Sequence, residues 1–422
     1  MPRHRAILVA ALLPTLAALP AVAEVPAYVA VELCARSNSS GAYNLPDGAF
    51  FTSVTPRLTD ARHVAFRLIT LPGPDDVKGV WFGGPGAGSV VYTGPSGAFL
   101  SGVTVDTPGR IVFELTYTSP AGLYYYDTVS TQSGIETNLP IGASGWGSPE
   151  INAMGEIGYR ASFSGDYAWV SYDGVSSTAT HVADASLDLQ SPYSYLFTPS
   201  FNADREIAGK LRLGAAGQVG ESQPDQIRVF ASDGSSVLIA EDQDSDPGSL
   251  YTRFDNSVSL TDTGWVAFVA EIASGARVVV LSDGTTTVDI ASEEMAGLSE
   301  VEFFGASASS SGLVAFRGVD DSGLQAIFVG DGSELVRLIG EHDLVTTDLG
   351  IGRIDQHDSS VVFGGSPSIN AAGDVAFNAA LTPADDNQVE WGSGIFVART
   401  EIALFADGFE SGDTAAWAAS VP

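Results

Sequence analysis

The hydrophobic residues of this chain recur in short runs, and each run follows the same turn signature. The signature is a small polar residue, two variable residues, a glycine and then an apolar strand, and residues 369–377 (INAAGDVAF) show it most clearly. Seven copies follow one another at intervals of 46 to 61 residues. Self-similarity at this period indicates one supersecondary unit repeated along the chain. The turn position is occupied by Arg62, Gly109, Gly155, Arg205, Gly264, Gly312 and Gly373.

The residue three positions before the turn position has a side chain that can bond to its own backbone. It is Thr59, Asp106, Asn152, Asn202, Thr261, Ser309 or Asn370. Because these side chains accept hydrogen bonds from N–H groups two residues on, and glycine accepts a positive φ, the signature predicts a tight hairpin turn. Arg62 and Arg205 depart from it, so we expect them in relaxed or distorted versions of the turn.

A second pair of apolar strands follows each signature, and most pairs are joined by Asp-Gly. Asp-Gly between alternating apolar residues is a strong hairpin signal. It occurs at Asp173-Gly174, Asp233-Gly234, Asp283-Gly284 and Asp331-Gly332. Each unit is therefore predicted to be a four-stranded antiparallel meander without a helix. Seven such units predict an all-β fold, a seven-bladed β-propeller over residues 24–405.

The seventh unit lacks a convincing Asp-Gly hairpin, so its fourth strand must come from elsewhere. Residues 28–33 form a spare apolar strand before the first full unit, and residues 401–405 are the rival. Closure by the N-terminal strand would remove an open sheet edge. We therefore predict that residues 28–33 complete the seventh blade.

The first 23 residues have the pattern of an export signal. Arg3 and Arg5 precede an apolar stretch over residues 6–19, and residues 21–23 (AVA) form a small-x-small cleavage site. No later run approaches the roughly 20 apolar residues of a membrane helix. We expect a secreted or cell-surface protein. Cys34 is the only cysteine, so no intrachain disulfide can form, and a buried or incidental thiol is favoured over a lipidated one.

The chain is strongly acidic, with a formal net charge of −32. Cleavage of the signal would remove two arginines and no acidic residue, which gives −34. Only two lysines occur, Lys78 and Lys210. Nucleic acid and anionic lipid need clustered lysine and arginine, so both are excluded as partners. Cations, neutral glycans and basic protein surfaces stay open, and we expect a monomer.

The Asn-x-x-Gly-x-x-Ala-Phe core resembles that of the exported bacterial tandem-repeat proteins named for NxxGxxAF repeats and for their choice of C-terminal anchor. The resemblance covers most of residues 45–398. It implies a surface or secreted propeller-like protein without an assigned reaction, so no catalytic residues carry over. The tail, residues 406–422, resembles a short C-terminal motif of other exported bacterial proteins. It lacks the apolar helix and basic stop of a sorting anchor, so its sorting role stays open.

Meander topology separates the loops of a propeller onto two faces. Turns between strands 1 and 2 and between strands 3 and 4 lie on one face, and all other connections lie on the other. The second face receives the long acidic segments, and function on scaffolded folds usually resides in such loops. Solubilising polar loops are the alternative. The segments are residues 75–76, 221–225, 241–246, 293–294, 320–321, 341–358 and 385–386.

One acidic segment has the spacing of a calcium loop. Asp242, Asp244 and Asp246 alternate with other residues ahead of Gly248, and Ca²⁺ takes several oxygen ligands around one tight turn. The segment departs from the EF-hand pattern, because Pro247 precedes the glycine and no glutamate follows at the expected place. A long connection that tolerates insertion explains it equally well.

Catalytic signatures are weak in this sequence. None of the histidines after residue 23 has metal-ligand spacing to another histidine or to the cysteine. The most enzyme-like segment is residues 341–358, which contains His342, Asp343, His357 and Asp358. We therefore expect a non-enzymatic propeller that binds a protein partner, glycan or cation through its acidic loop face. The alternative is an extracellular glycan-directed hydrolase that uses carboxylates at the mouth of the channel.

Overall fold

The computed structural model describes residues 24–38, 43–71, 77–185, 191–357 and 361–401, and its regular elements are all β-strands. The proposed signal peptide and C-terminal tail lie outside these residues, as do Asp75, Asp76 and Asp358. Seven antiparallel sheets follow one another in chain order and form a seven-bladed β-propeller, which confirms the predicted fold.

The first strand, β1 (Tyr28–Arg36), precedes six blades that are each built from consecutive strands. Blade 1 comprises β2 (Arg57–Leu58), β3 (Val64–Leu71), β4 (Val77–Gly83) and β5 (Ser89–Thr93). Blade 2 comprises β6 (Phe99–Val105), β7 (Arg110–Thr116), β8 (Gly122–Asp127) and β9 (Gln132–Thr137). Blade 3 comprises β10 (Gly145–Ile151), β11 (Ile157–Phe163), β12 (Asp166–Asp173) and β13 (Thr178–Ala185).

The next three blades repeat this order, and the innermost strand of blade 6 is split in two. Blade 4 comprises β14 (Tyr193–Phe201), β15 (Ile207–Leu213), β16 (Asp225–Phe230) and β17 (Ser236–Glu241). Blade 5 comprises β18 (Tyr251–Leu260), β19 (Val266–Ile272), β20 (Arg277–Ser282) and β21 (Thr287–Ser292). Blade 6 comprises β22 (Glu300–Val301), β23 (Ser307–Ala308), β24 (Val314–Val319), β25 (Gln325–Gly330) and β26 (Leu335–Gly340).

The seventh blade closes the ring with the N-terminal strand. A hairpin of β27 (Leu344–Thr347) and β28 (Gly350–Ile354) leads into β29 (Phe363–Ile369), β30 (Val375–Pro383) and β31 (Gly392–Thr400). Strand β1 pairs antiparallel with β31, from Tyr28 opposite Thr400 to Arg36 opposite Gly394. This confirms closure by the N-terminal strand. Of its rival, only Glu401 is described.

The apolar strand of every signature is buried between neighbouring blades. Val375 and Ala376 are fully buried, and the Phe377 ring stacks on Phe396 with centroids 5.4 Å apart. In blade 4, Gly209 replaces the aromatic residue because a Cβ atom there would lie 2.4 Å from the Trp169 ring of the preceding blade. The aromatic residue can therefore come from either blade, provided that the facing position is small.

All seven signature turns have the same backbone geometry. Every residue at the turn position has a positive φ, including Arg62 and Arg205, both at 64°. Arg62 N donates to Thr59 O at 3.0 Å and Arg205 N to Asn202 O at 3.3 Å, as Gly373 N does to Asn370 O at 3.0 Å. The expectation of relaxed or distorted turns at the two arginines was therefore wrong.

Candidate functional site

The two faces of the propeller differ in how their polar side chains are used. We call the face with the signature and Asp-Gly turns the turn face, and the opposite face the link face. On the turn face, Asp173 and Asp233 each accept a serine hydroxyl and backbone N–H groups of their own turns. These hydrogen bonds hold the pKa of both carboxyls below the usual range. Such carboxylates shape the turns.

The signature turns on the turn face are held by their first side chain. Asn202 Oδ1 accepts from Asp204 N at 3.1 Å and from Glu206 N at 2.9 Å, while Asn202 Nδ2 donates to Glu206 Oε2 at 2.9 Å. An acidic residue thus lies four positions after the asparagine and accepts a hydrogen bond from its amide N–H. The same arrangement joins Asn152 to Glu156 and Asn370 to Asp374.

The asparagines also connect each turn to the next blade. Asn152 Nδ2 lies 3.3 Å from Asn202 O, and Asn202 Nδ2 lies 3.3 Å from Thr261 O. Across the closure of the ring, Asn370 Nδ2 lies 3.2 Å from Thr59 O. The repeated motif therefore joins neighbouring blades, and in these three copies its amide groups are already hydrogen-bonded.

A second set of links joins the innermost strands. The side chain two positions before the first turn residue accepts a backbone N–H from the next blade at 2.7 to 3.3 Å. This polar contact recurs in five blades, through Glu150, Ser200, Ser259, Ser307 and Ser368. The signature thus supplies two sets of inter-blade hydrogen bonds near the channel, one at three blade pairs and one at five.

The central channel holds a cavity of about 310 Å³ lined mostly by serine, threonine and small residues. Glu150 is the one carboxylate in its described lining, and Arg57 Nη2 lies 3.3 Å from Glu150 Oε1. Burial raises the pKa of Asp255 and Glu302 on the inner segments of blades 5 and 6, but neither lines the channel. The described lining therefore offers no pair of desolvated carboxylates of the kind that a glycan hydrolase needs.

The predicted calcium segment lies on the link face between blades 4 and 5. Asp242 is only 4% exposed, and its oxygens accept backbone hydrogen bonds from Asp225 N at 2.8 Å and from Ser245 N at 2.9 Å. Asp244 and Asp246 are exposed. Within the described residues, the three carboxylates do not form a convergent group of candidate ligands. Calcium binding by Asp242, Asp244 and Asp246 stays a prediction.

Asp242 borders a buried ionic network that sequence reasoning did not find. Arg212 binds Asp225 in a bidentate manner, at 2.7 and 2.9 Å, and Lys210 Nζ lies 3.1 Å from Asp225 Oδ2. Burial lowers the pKa of Lys210 and raises that of Asp242. The opposite charges of this network compensate one another, and Lys210 Nζ also donates to Phe254 O of blade 5 at 3.1 Å. The network therefore ties blade 4 to blade 5.

A different group on the link face converges on one point. Within the described part of the chain, Glu341, His342 and Asp355 are the one set of three or more histidine, cysteine or acidic residues whose ligand atoms all lie within 4.8 Å of each other. His342 Nε2 lies 3.8 Å from Glu341 Oε1 and 3.8 Å from Asp355 Oδ2. The three side chains are respectively half-buried, exposed and buried, so one side of the cluster is open to solvent.

The long link between blades 6 and 7 builds this cluster. Its hairpin β27–β28 folds back so that His342 N donates to Ile354 O at 2.7 Å, which places residue 342 beside residue 355. His342 adopts the left-handed region, with φ 72°. Asp355 N donates to Ala380 O of β30, so the third ligand is anchored to the seventh blade. Two blades thus hold the cluster together.

The charge of the cluster is partly compensated. Arg353 Nη2 lies 2.6 Å from Asp355 Oδ2, although the geometry does not make a hydrogen bond, and Asp355 Oδ1 accepts from Gln356 N at 2.7 Å. Asp355 Oδ2 is fully buried and without a hydrogen bond in the described structure. A metal ion at the cluster would share this oxygen with the guanidinium of Arg353.

Sequence reasoning identified the link between blades 6 and 7, but some of the residues that it named there lie outside the cluster. His342 belongs to the cluster, whereas Asp343 accepts from Gly340 N at 2.7 Å and pairs with Arg337. His357 is exposed and lies outside the cluster. Glu341 and Asp355 were included only as part of an acidic segment. Their separation along the chain is not a recognised metal-ligand spacing. The two side chains are close in space only because the β27–β28 hairpin folds back between them.

Comparisons with known proteins agree on the fold. No protein-family model and no curated protein match the chain. It is similar to a solved oligogalacturonate lyase in complex with manganese (TM-score 0.54, 10% identity, 89% of this chain and 98% of that chain). It is also similar to the β-propeller domain of the trilobed protease from Pyrococcus furiosus (TM-score 0.52, 13% identity, 84% and 95%). At these identities the likeness shows the propeller fold alone.

None of the described segments is a helix of the length and apolarity needed to cross a membrane.

Proposed function

We propose that this protein is an exported, non-enzymatic binding propeller that uses its link face, and that Glu341, His342 and Asp355 hold a divalent cation there. The observation that carries the proposal is the convergence of one imidazole and two carboxylates on a solvent-open point. The turn face is less suited to binding a ligand, since its repeated polar groups are engaged in turns and inter-blade links.

The donor set favours a transition-type ion over calcium. One nitrogen and two oxygen ligands suit Zn²⁺ or Mn²⁺, whereas Ca²⁺ takes six to eight oxygens. Ligand atoms bound tetrahedrally at about 2.1 Å are roughly 3.4 Å apart. The 3.8 Å separations from His342 Nε2 are therefore a few tenths of an ångström wider than a closed site needs. Three protein ligands leave further positions open for water or for a group of the binding partner.

The binding partner is proposed to be a protein or glycan outside the cell. The export pattern of residues 1–23 and the resemblance to surface tandem-repeat proteins support that location. A glycan-directed hydrolase is the alternative, but its support is weaker because Glu150 is the single carboxylate in the described channel lining. The metal cluster is the feature of the link face that a partner could reach from solvent.

Calorimetric titration with ZnCl₂, MnCl₂ and CaCl₂ tests the proposal. We expect one Zn²⁺ or Mn²⁺ per chain in the wild type, and loss of that binding in His342→Ala and Asp355→Asn. Arg353→Gln should tighten binding, because it removes a cation 2.6 Å from Asp355 Oδ2.

The chain offers a matched control for the histidine variant. His181 Nδ1 lies 2.8 Å from Asp184 Oδ1 on blade 3, so His181→Ala removes an equivalent histidine–carboxylate pair away from the cluster. Its metal binding should equal that of the wild type. Absent binding in the wild type, or undiminished binding in His342→Ala, would refute the metal site. A glycan array probed with and without the bound ion then shows whether the ion supports partner binding.

A further inference from the structure

One repeated position ties the second strand of a blade to the innermost strand of the next. It lies five residues after the turn position. Three cations there donate to a carbonyl of the next blade at 3.0 to 3.1 Å: Arg160 to Leu196 O, Lys210 to Phe254 O and Arg317 to Gly365 O. A long cationic side chain at this position therefore normally serves as a structural tie.

Arg67 occupies this position in blade 1 and differs from the other cations. No hydrogen bond, ion pair or ring contact of Arg67 is found among the described residues. Its side chain is half-buried and borders both the channel and a groove on the link face between blades 1 and 2. A guanidinium with five donors that the described residues leave unpaired is, at such a place, available to an anionic ligand.

The groove beside Arg67 combines cations with exposed aromatic rings. Its volume is about 450 Å³, and Arg67, Lys78, Phe99 and Tyr117 line it. Phe99 is 43% exposed and Tyr117 is 84% exposed, with ring centroids 6.5 Å apart in an edge-to-face arrangement. Exposed aromatic rings gathered in a concave site indicate a ligand surface. Because Lys78 already has an interaction of its own, Arg67 is the cation of the groove that is offered to an anionic ligand, in a chain with a net charge of −32.

We propose that this groove binds an acidic sugar, a uronic acid residue of a glycan chain. The guanidinium of Arg67 takes the sugar carboxylate in its planar fork, and the apolar face of the sugar ring packs on Tyr117 and Phe99. The inference rests on the proposed function in one respect, namely that the link face is the binding face. It does not depend on the metal cluster, which lies between blades 6 and 7.

The acidity of the whole chain does not prevent this recognition. At physiological ionic strength, charges farther apart than about 8 Å are largely screened, so a short anionic sugar responds mainly to the groove.

The test is calorimetric titration with a tetrasaccharide of 1,4-linked uronic acid residues, with and without EDTA, and with its carboxyl-reduced form as the control ligand. Arg67→Gln should weaken binding about tenfold or more, the usual cost of losing a charged hydrogen-bonding partner. Tyr117→Ala should weaken it several-fold. Arg228→Gln, a half-buried arginine of blade 4, should leave binding unchanged. The melting temperature of Arg67→Gln should equal that of the wild type, because Arg67 makes no tie to another described residue.

Four outcomes separate this inference from the proposed function. Weaker binding by Arg67→Gln, with no binding of the reduced sugar, supports the groove. Absent binding of the acidic tetrasaccharide by the wild type, or equal binding of the reduced one, overturns it. Binding that is lost in EDTA and in His342→Ala, but kept in Arg67→Gln, places the sugar on the metal and overturns the groove alone. Groove binding by a chain that binds no metal overturns only the metal site.

Discussion

Arg62 Nε donates to Asp374 Oδ2 at 2.8 Å, although the two residues are 312 positions apart in the sequence. Arg62 stands where the signature of blade 1 normally has glycine, and Asp374 is the fully buried acidic residue that follows the turn of blade 7. Arg205 and Glu156 repeat the relationship between blades 4 and 3, at 3.3 Å. Each arginine thus stands where glycine would adopt a positive φ more easily, but it forms an ion pair with the preceding blade. The pair of Arg62 and Asp374 joins the first blade to the seventh, where the ring closes.

Asp374→Asn should destabilise the propeller by about 2 kcal/mol or more, because it leaves Arg62 without its charged partner. Burial alone would raise the pKa of Asp374, but hydrogen bonds from Arg62, Thr400 and Asn370 outweigh it and lower the pKa. A carboxyl with a lowered folded pKa stabilises the protein above its unfolded pKa of about 3.9, and this contribution is lost as pH falls through the folded pKa.

Melting temperatures from pH 7 to pH 2 measure this effect. The melting temperature of the wild type should fall in the acid range, and it should fall less in Asp374→Asn. Asp244→Asn, which changes an exposed carboxylate on the link face, is the control and should follow the wild type. Parallel curves for the wild type and Asp374→Asn would contradict the assigned role of Asp374.

Gly373→Val should destabilise the seventh blade by roughly 1–3 kcal/mol, since a β-branched residue disfavours its φ of 84°. A Cβ atom there would also lie 3.0 Å from Leu313 Cδ1 and 3.1 Å from Pro26 Cγ. Gly264→Val is the matched control, because Gly264 has φ 80° and no atom within 4 Å of the added Cβ. Denaturant unfolding should show a smaller loss for Gly264→Val, and equal losses would refute the crowding at Gly373.

Asn202→Asp should destabilise blade 4 by about 1–2 kcal/mol. The substitution keeps the acceptor for Asp204 N but replaces the amide donor with a carboxylate 2.9 Å from Glu206 Oε2. Glu206→Gln in the same chain should restore most of the loss, since the pair regains a donor and loses its repulsion. A double-mutant cycle measures the coupling, and simple additivity would contradict the motif chemistry. Blade 2 contains a related pair, since its first turn residue is Asp106 and the residue four positions later is Arg110.

Calcium binding by the segment of Asp242, Asp244 and Asp246 is tested by thermal stability. If the three carboxylates bind Ca²⁺, millimolar CaCl₂ should raise the melting temperature more than NaCl of equal ionic strength. Asp244→Asn should abolish that excess while barely changing side-chain size. Equal shifts in the two salts would mean screening alone and would remove calcium from this segment.

The sequence determined the repeated architecture, because turn chemistry and strand alternation are local properties. Asn-x-x-Gly and its variants predicted seven hairpins, including their positive φ at glycine, and the spare strand near Tyr28 predicted how the ring closes. Local chemistry did not reveal why Arg62 and Arg205 tolerate the same φ. The reason is an acidic residue of the preceding blade, which becomes a neighbour only when blades pack side by side.

The tertiary structure decided which polar residues meet on the link face. Glu341 and His342 reach Asp355 because a hairpin folds back between them, and no spacing rule in the sequence encodes that return. The alternate aspartates near Asp242 had the more recognisable spacing, yet Asp242 is turned inward toward the backbone of Asp225. A repeated pattern specifies the frame because each copy is stabilised by nearby atoms. The binding residues depend on contacts between blades, which are fixed only when the ring is complete.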